Sequence, residues 1–206
     1  MSVHPGVRAR FGSHFKPRLT RLLQILGLDV VYERGSGSFL YYRDESGRET
    51  EVLDMAGGYG SALLGHSHPA LVAEATHILS THRPAHAQGS LHEFAERLAG
   101  ELSARVGGGY CAVFANSGTE AVEAAVKHAM LETGSKTFVA LEGAFHGQSL
   151  GALQLTASEH YRSSFTVGGF NVLRVPPNDV ARLETAFATR GELAGFIFEP
   201  DRKSVV

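Results

Sequence analysis

The chain has 206 residues, 43% of them hydrophobic and 19% charged, with a formal net charge of −2. That balance argues against a nucleic-acid partner, because phosphate binding needs clustered Lys and Arg. The single cysteine, Cys111, excludes an internal disulfide framework. No apolar run approaches the roughly 18–20 residues that cross a bilayer, so no membrane partner is expected. Met1 to Phe15 mixes His, Arg and Gly and lacks the apolar stretch of a secretory signal. Glycine is over-represented, 24 of 206 residues, against an ordinary share of about 7%. The expectation is a cytoplasmic, soluble α/β protein with many tight turns.

Leu19, Leu22, Leu23 and Leu26 recur at helical spacing and predict a short amphipathic helix. Val30–Tyr32, Phe39–Tyr42 and Val52–Leu53 are short β-like runs parted by Gly35–Ser38 and Asp44–Gly47, which predicts an antiparallel meander. Residues 55–69 form a glycine-rich loop. Helices are predicted over Ala70–Ser80 and Leu91–Val106, the second stopped by Gly107–Gly109. From Tyr110 the pattern alternates. Strands are predicted at Cys111–Ala115, Thr137–Leu141, Asn171–Val175 and Gly195–Phe198, and helices at Glu120–Leu131 and Asp179–Thr189. Ala152–Thr156 also reads as β-like. Short apolar strands alternating with helices predict a mostly parallel sheet between helical layers. Three segments are expected: an N-terminal helix and meander (1–54), an α/β body (55–200) and a tail (201–206).

Two stretches carry chemistry. Ala115-Asn116-Ser117-Gly118-Thr119-Glu120 joins a strand to a helix. Gly118 removes a side chain at the turn, Ser117 and Thr119 bring hydroxyls, and the helix start offers free N–H groups and a positive dipole end. Together these make a cradle for a phosphate or carboxylate without a lysine. Ser/Thr ahead of Glu is equally a helix-capping pattern. In the helix that follows, Glu123 and Lys127 read as a solvent-side i,i+4 pair.

The second stretch, Leu141-Glu142-Gly143-Ala144-Phe145-His146-Gly147-Gln148-Ser149-Leu150-Gly151, lies at the carboxyl end of the next predicted strand. In an open parallel sheet that is the ligand-binding edge. Phe145 can offer a flat face to a planar ligand and His146 a hydrogen bond. A turn with a buried Phe is the plainer reading. Gly147–Gly151 also matches G-x-S-x-G, which would make Ser149 a hydrolase nucleophile. That motif needs a strand directly before it and a helix directly after it, and neither is predicted. Six histidines between His66 and His92 lack metal-ligand spacing and read as loop and helix-surface residues, so no metal is expected. Cys111 reads as a core residue.

Together, Asn116–Met130 and Glu142–Gly151 resemble the class III aminotransferases, fold-type I enzymes that use pyridoxal 5'-phosphate. Leu53-Asp54-Met55 with Gly65-His66-Ser67-His68-Pro69, and Phe196-Ile197-Phe198-Glu199-Pro200, resemble that family's flanking segments in order and spacing. The resemblance runs from about Val30 to Pro200. It implies that Ser117, Gly118 and Thr119 bind the cofactor phosphate. Phe145 would stack on the pyridine ring with His146 beside it. Glu199 would lie on the cofactor and substrate side of the cleft, and the 57–62 loop would border the substrate. It also implies an amino donor, a keto acid acceptor and a homodimer when full length. A related aminomutase using the same cofactor, and a non-catalytic anion-binding domain, are the alternatives.

After Glu199-Pro200 the family pattern does not continue. Asp201–Val206 resembles translated sequencing adapter, and is expected to be non-native. The lysine that holds the cofactor covalently is expected downstream. Lys16, Lys127, Lys136 and Lys203 are all poorly placed for that role, so no catalytic residue is assigned within the chain. The fragment alone is expected to be inactive and prone to aggregation.

Overall fold

The computed structural model describes residues 5–44, 46–84, 89–165, 168–189 and 193–200. The tail 201–206 lies outside them. The chain divides into two compact units, Met1–Ser90 and Leu91–Val206.

The first unit opens with two helices, α1 (Pro5–His14) and α2 (Pro17–Ile25). The periodic leucines announce α2, and Pro17 sits in its first turn, where a missing N–H costs nothing. No comparable apolar repeat announces α1. The meander follows as β1 (Arg34–Ser36), β2 (Phe39–Arg43) and β3 (Glu49–Leu53), antiparallel in the order β1-β2-β3. Ser36 faces Phe39 across a two-residue turn in which Gly37 takes a φ of +54°, a conformation glycine adopts freely. Val30–Tyr32 is not a strand. Arg34 pairs with Tyr41, so Val31 would fall opposite Asp44, whose amide already donates across the turn to the Arg48 carbonyl. A helical turn at Gly57–Gly60 and α3 (Pro69–Ser80) complete the unit.

The second unit holds α4 (Glu93–Arg105), α5 (Gly118–Thr133), β4 (Thr137–Leu141), α6 (Leu150–Leu155), α7 (Glu159–Arg162), β5 (Asn171–Val175), α8 (Val180–Thr189) and β6 (Gly195–Ile197). The three strands are parallel in the order β5-β4-β6. The central strand is the most buried, with Val139 and Ala140 fully covered, as expected when both faces of a parallel sheet are packed. Val126 of α5, Phe138 and Ala140 of β4, Leu155 of α6 and Ala194 form one apolar cluster. Phe138 and Phe170 meet edge to face at 5.2 Å. Gly134, at φ +69°, closes α5 in the left-handed conformation. Asp179 caps α8 by accepting from the Arg182 amide at 2.9 Å.

Two expected strands differ. Cys111–Ala115 is irregular, and Cys111 is exposed rather than in the core. An apolar run becomes a strand only beside a hydrogen-bonding neighbour, and among the described residues nothing pairs with it. Ala152–Thr156 is largely helix, within α6. A short apolar run cannot by itself separate strand from helix. Here the choice is made by a side chain from α5 that caps α6.

Candidate active site

The bend before α5 is built as the sequence suggests. Ser117 is extended (φ −152°, ψ 160°), and its Oγ accepts from the Glu120 amide at 3.3 Å. The Glu120 carboxylate in turn accepts from the Asn116 amide at 2.7 Å. This closes a capping arrangement across the turn. It leaves the Gly118 and Thr119 amides without an acceptor among the described residues. A Cβ placed on Gly118 would meet nothing within 4 Å, so the space beside the turn at Gly118 is open. Free amides, a dipole end and open space fit a phosphate group.

The Thr119 hydroxyl is already engaged. It lies 2.7 Å from Ser149 Oγ and accepts from the Ser149 amide at 3.2 Å. Ser149 has one hydroxyl hydrogen, which goes to Glu123 Oε1 at 2.6 Å. Thr119 must therefore donate to Ser149, and the relay runs Thr119 to Ser149 to Glu123. Thr119 can serve an anion through its amide, not its hydroxyl.

Glu123 is not the solvent-side partner of Lys127 that the i,i+4 spacing suggests. Its Oε1 also accepts from the Gly151 and Ala152 amides at 2.8 and 3.1 Å, so it caps α6 from a neighbouring helix. Burial pushes the Glu123 carboxyl up. The Ser149 hydroxyl, the two amides and Lys127 outweigh it and hold the carboxyl below its ordinary value. Nothing local in the sequence signals this contact. Only Gly151, where a Cβ would collide with the Glu123 carboxylate, carries a trace of it.

The segment after β4 is clamped by one fully buried threonine. Thr156 Oγ1 accepts from the His146 amide at 2.9 Å and donates to the Gly147 carbonyl at 3.0 Å. Gly147 (φ +127°) lies directly against Thr119, so this segment and the α5 bend touch. The bend holding Ser117–Thr119 and the segment holding Phe145–His146 thus lie side by side, the second following the carboxyl end of β4. Phe145 is 43% exposed and packs edge to face with Tyr161 at 6.0 Å. Its amide donates to Glu199 Oε2 at 2.9 Å, which ties the end of the β6 segment to the ring-bearing residue. His146 is 8% exposed, and its Nε2 is buried with no partner among the described residues. Burial lowers its pKa, Glu199 opposes this, and Arg174 adds to it; the imidazole is therefore held towards its neutral form. A buried ring nitrogen without a partner beside an open anion cradle fits a polar planar ligand.

Ser149 stands eight residues beyond the end of β4, at the start of α6. A helix does follow it, contrary to the sequence reading. No strand directly precedes it, and its proton is committed to a carboxylate. The hydrolase reading has no geometric support.

In the first unit, Asp54 Oδ2 meets His66 Nε2 at 2.8 Å, while Oδ1 accepts from the Ala56 and Gly57 amides at 3.0 and 2.9 Å. His66 first, then the Gly57 amide, hold the Asp54 carboxyl below its ordinary value against a smaller effect of burial. These bonds fix the start of the 57–62 loop. Tyr59 there is fully exposed at a φ of +55°, rare for a residue with a side chain.

The pattern of the family described as aminotransferase class-III matches residues 25–202. The chain belongs to the class III aminotransferase family. A Pyrococcus abyssi protein named as a LysW-aminoadipate semialdehyde/glutamate semialdehyde transaminase is 40% identical over 169 residues, 81% of this chain and 44% of that protein. An acetylornithine aminotransferase of Mycolicibacterium smegmatis is 41% identical over 154 residues, 73% of this chain and 38% of that one. Among solved structures, an omega-transaminase from Sphaerobacter thermophilus superimposes with a TM-score of 0.68 at 28% identity, over 85% of this chain and 42% of its own. The omega-transaminase from Pseudomonas jessenii, solved in complex with PMP, gives a TM-score of 0.61 at 25% identity, over 76% and 36%. This class III chain therefore spans less than half the length of the curated relatives it matches. Its parallel sheet, helices and N-terminal meander are those of the fold-type I transaminases.

Proposed function

We propose that the protein containing this chain is a pyridoxal-phosphate-dependent aminotransferase. It moves an amino group between an amine or amino acid donor and a keto acid or aldehyde acceptor, and acts as a cytoplasmic homodimer. Membership of the class III family supports the reaction. The observation that supports the cofactor assignment is the pair of unpartnered amides at Gly118 and Thr119, in a turn with open space beside Gly118. When bound, pyridoxal phosphate supplies an electron-withdrawing ring that lets the carbon bearing the amine lose its proton. The residues of this chain hold and orient it. The Gly118 and Thr119 amides and the Ser117 hydroxyl take the phosphate. Phe145 covers one face of the ring. His146, kept neutral by burial, offers its free nitrogen to a polar edge. Glu199 fixes the Phe145 backbone.

The complete protein, loaded with pyridoxal phosphate, is expected to lose the cofactor's visible absorption band on addition of an amino donor and to regain it on addition of a keto acid. No exchange with any of a panel of α- and ω-amines would contradict the assignment. Pyridoxal, which lacks the phosphate, is expected to bind at least about tenfold more weakly, or about 1.4 kcal/mol. Equal affinity for the two would remove the cradle from the account.

A further inference from the structure

Beyond the cofactor site, the second unit contains a cleft of about 500 Å³ between α6, α7 and β5. Two arginines line it, Arg162 at the end of α7 and Arg174 on β5. Each is anchored through one terminal nitrogen to main-chain carbonyls: Arg162 to Ala157 at 3.3 Å, and Arg174 to Gln154 at 2.5 Å and Thr156 at 3.2 Å. In both, Nε is shielded from solvent and has no acceptor among the described residues. Gln154 Oε1, in the same wall, is buried without a donor, while its nitrogen is committed to the Phe170 carbonyl at 2.7 Å. A buried polar group without a partner is destabilising, and native structures contain few of them. Three therefore gather in one cleft, two on guanidinium groups whose positive charges repel. Glu159, the carboxylate among the lining residues, offsets part of this repulsion at Arg174, but among the described residues it forms no ion pair within 4 Å with either arginine. Half-exposed Phe165 and partly buried Val172 add an apolar wall.

We propose that this cleft binds a small oxyanion, a phosphate or carboxylate group, between Arg162 and Arg174, with a donor on the same ligand reaching Gln154. Two guanidinium groups anchored by the backbone are pre-oriented for oxygen pairs of this kind, and lysines could not replace them. The ligand would satisfy the orphaned N–H groups and relieve the repulsion between the two cations. Neither the cofactor assignment nor the reaction is needed for this inference.

The test is a titration of the complete protein containing this chain with inorganic phosphate, followed through the arginine Nε–H resonances. Acetate is run in parallel, and sodium chloride serves as the ionic-strength control. Because the readout is at arginine Nε, phosphate entering the α5 bend does not confound it. The Arg162 and Arg174 Nε–H signals are expected to shift saturably in the millimolar range, and the Arg174 signal that remains in Arg162→Gln is expected to stop responding. Monohydrogen phosphate carries a hydroxyl for Gln154 and acetate does not, so phosphate is expected to bind several-fold more tightly. Arg174→Lys keeps the charge and loses the fork, and is expected to weaken phosphate at least about tenfold. A linear drift equal to the chloride control would overturn the proposal. So would saturation unchanged in both variants. Acetate binding as tightly as phosphate would overturn the part assigned to Gln154.

Discussion

Gly147→Ala is expected to cost about 3 kcal/mol of folding stability and to weaken pyridoxal phosphate binding with it. Two effects add. The residue sits at φ +127°, which L side chains rarely adopt, and forcing one there costs on the order of 1–3 kcal/mol. The new Cβ would also land 2.7 Å from Thr119 Cβ and 3.1 Å from Ala152 Cβ, with Thr119 Oγ1 closer still. Overpacking of this kind adds roughly 1–3 kcal/mol. The displaced atoms belong to the α5 bend, so the anion cradle moves with them. Gly134→Ala is the control. It shares the positive φ, at +69°, but its Cβ would meet nothing within 4 Å, so about 1 kcal/mol is expected. Urea unfolding of the two variants separates contact from strain. Equal losses would mean that Gly147 does not press on Thr119.

Glu123→Ala is expected to cost about 2–3 kcal/mol, because Ser149 Oγ and the Gly151 and Ala152 amides lose their shared acceptor at once. Glu123→Gln keeps an oxygen in place and is expected to lose less than half as much. The charge also has a pH signature. The folded-state pKa of Glu123 lies below its ordinary value of 4.5. Its contribution to stability is therefore complete above about pH 4.5 and is lost as pH falls through the depressed folded value. Asp54 acts in the same direction through His66 and the loop amides. Unfolding midpoints from pH 7 down to 3 should fall less steeply in Glu123→Gln than in the parent. Parallel curves would show that the carboxylate makes no charge-dependent contribution.

The Glu123 contact marks where local reading of the sequence ends. The Ser117–Thr119 bend, α5 behind it and β4 ahead of the Phe145 segment are legible, because capping residues, apolar periodicity and turn glycines act within a few residues of one another. Their clustering at the carboxyl end of a parallel strand follows from topology. Cys111–Ala115 misleads because strand formation depends on a neighbour that a local pattern does not contain. Ala152–Thr156 misleads because α6 is capped by a residue 28 positions away from Gly151. Glu123 itself misleads because Lys127 offers a plausible local partner, while the actual donors, two backbone amides and a serine hydroxyl, leave no charge pattern. The occupied Thr119 hydroxyl is likewise invisible until Gly147 brings Ser149 beside it.

The central claim is that the bend before Glu120 holds the phosphate of pyridoxal phosphate by backbone amides rather than by a cation. Amide proton and nitrogen shifts of Gly118 and Thr119, followed during titration with pyridoxal phosphate, test it most directly. The account predicts that both amides move saturably and downfield, in step with the broadening of the ligand's phosphorus signal. Binding of the cofactor with both amides unmoved would contradict it.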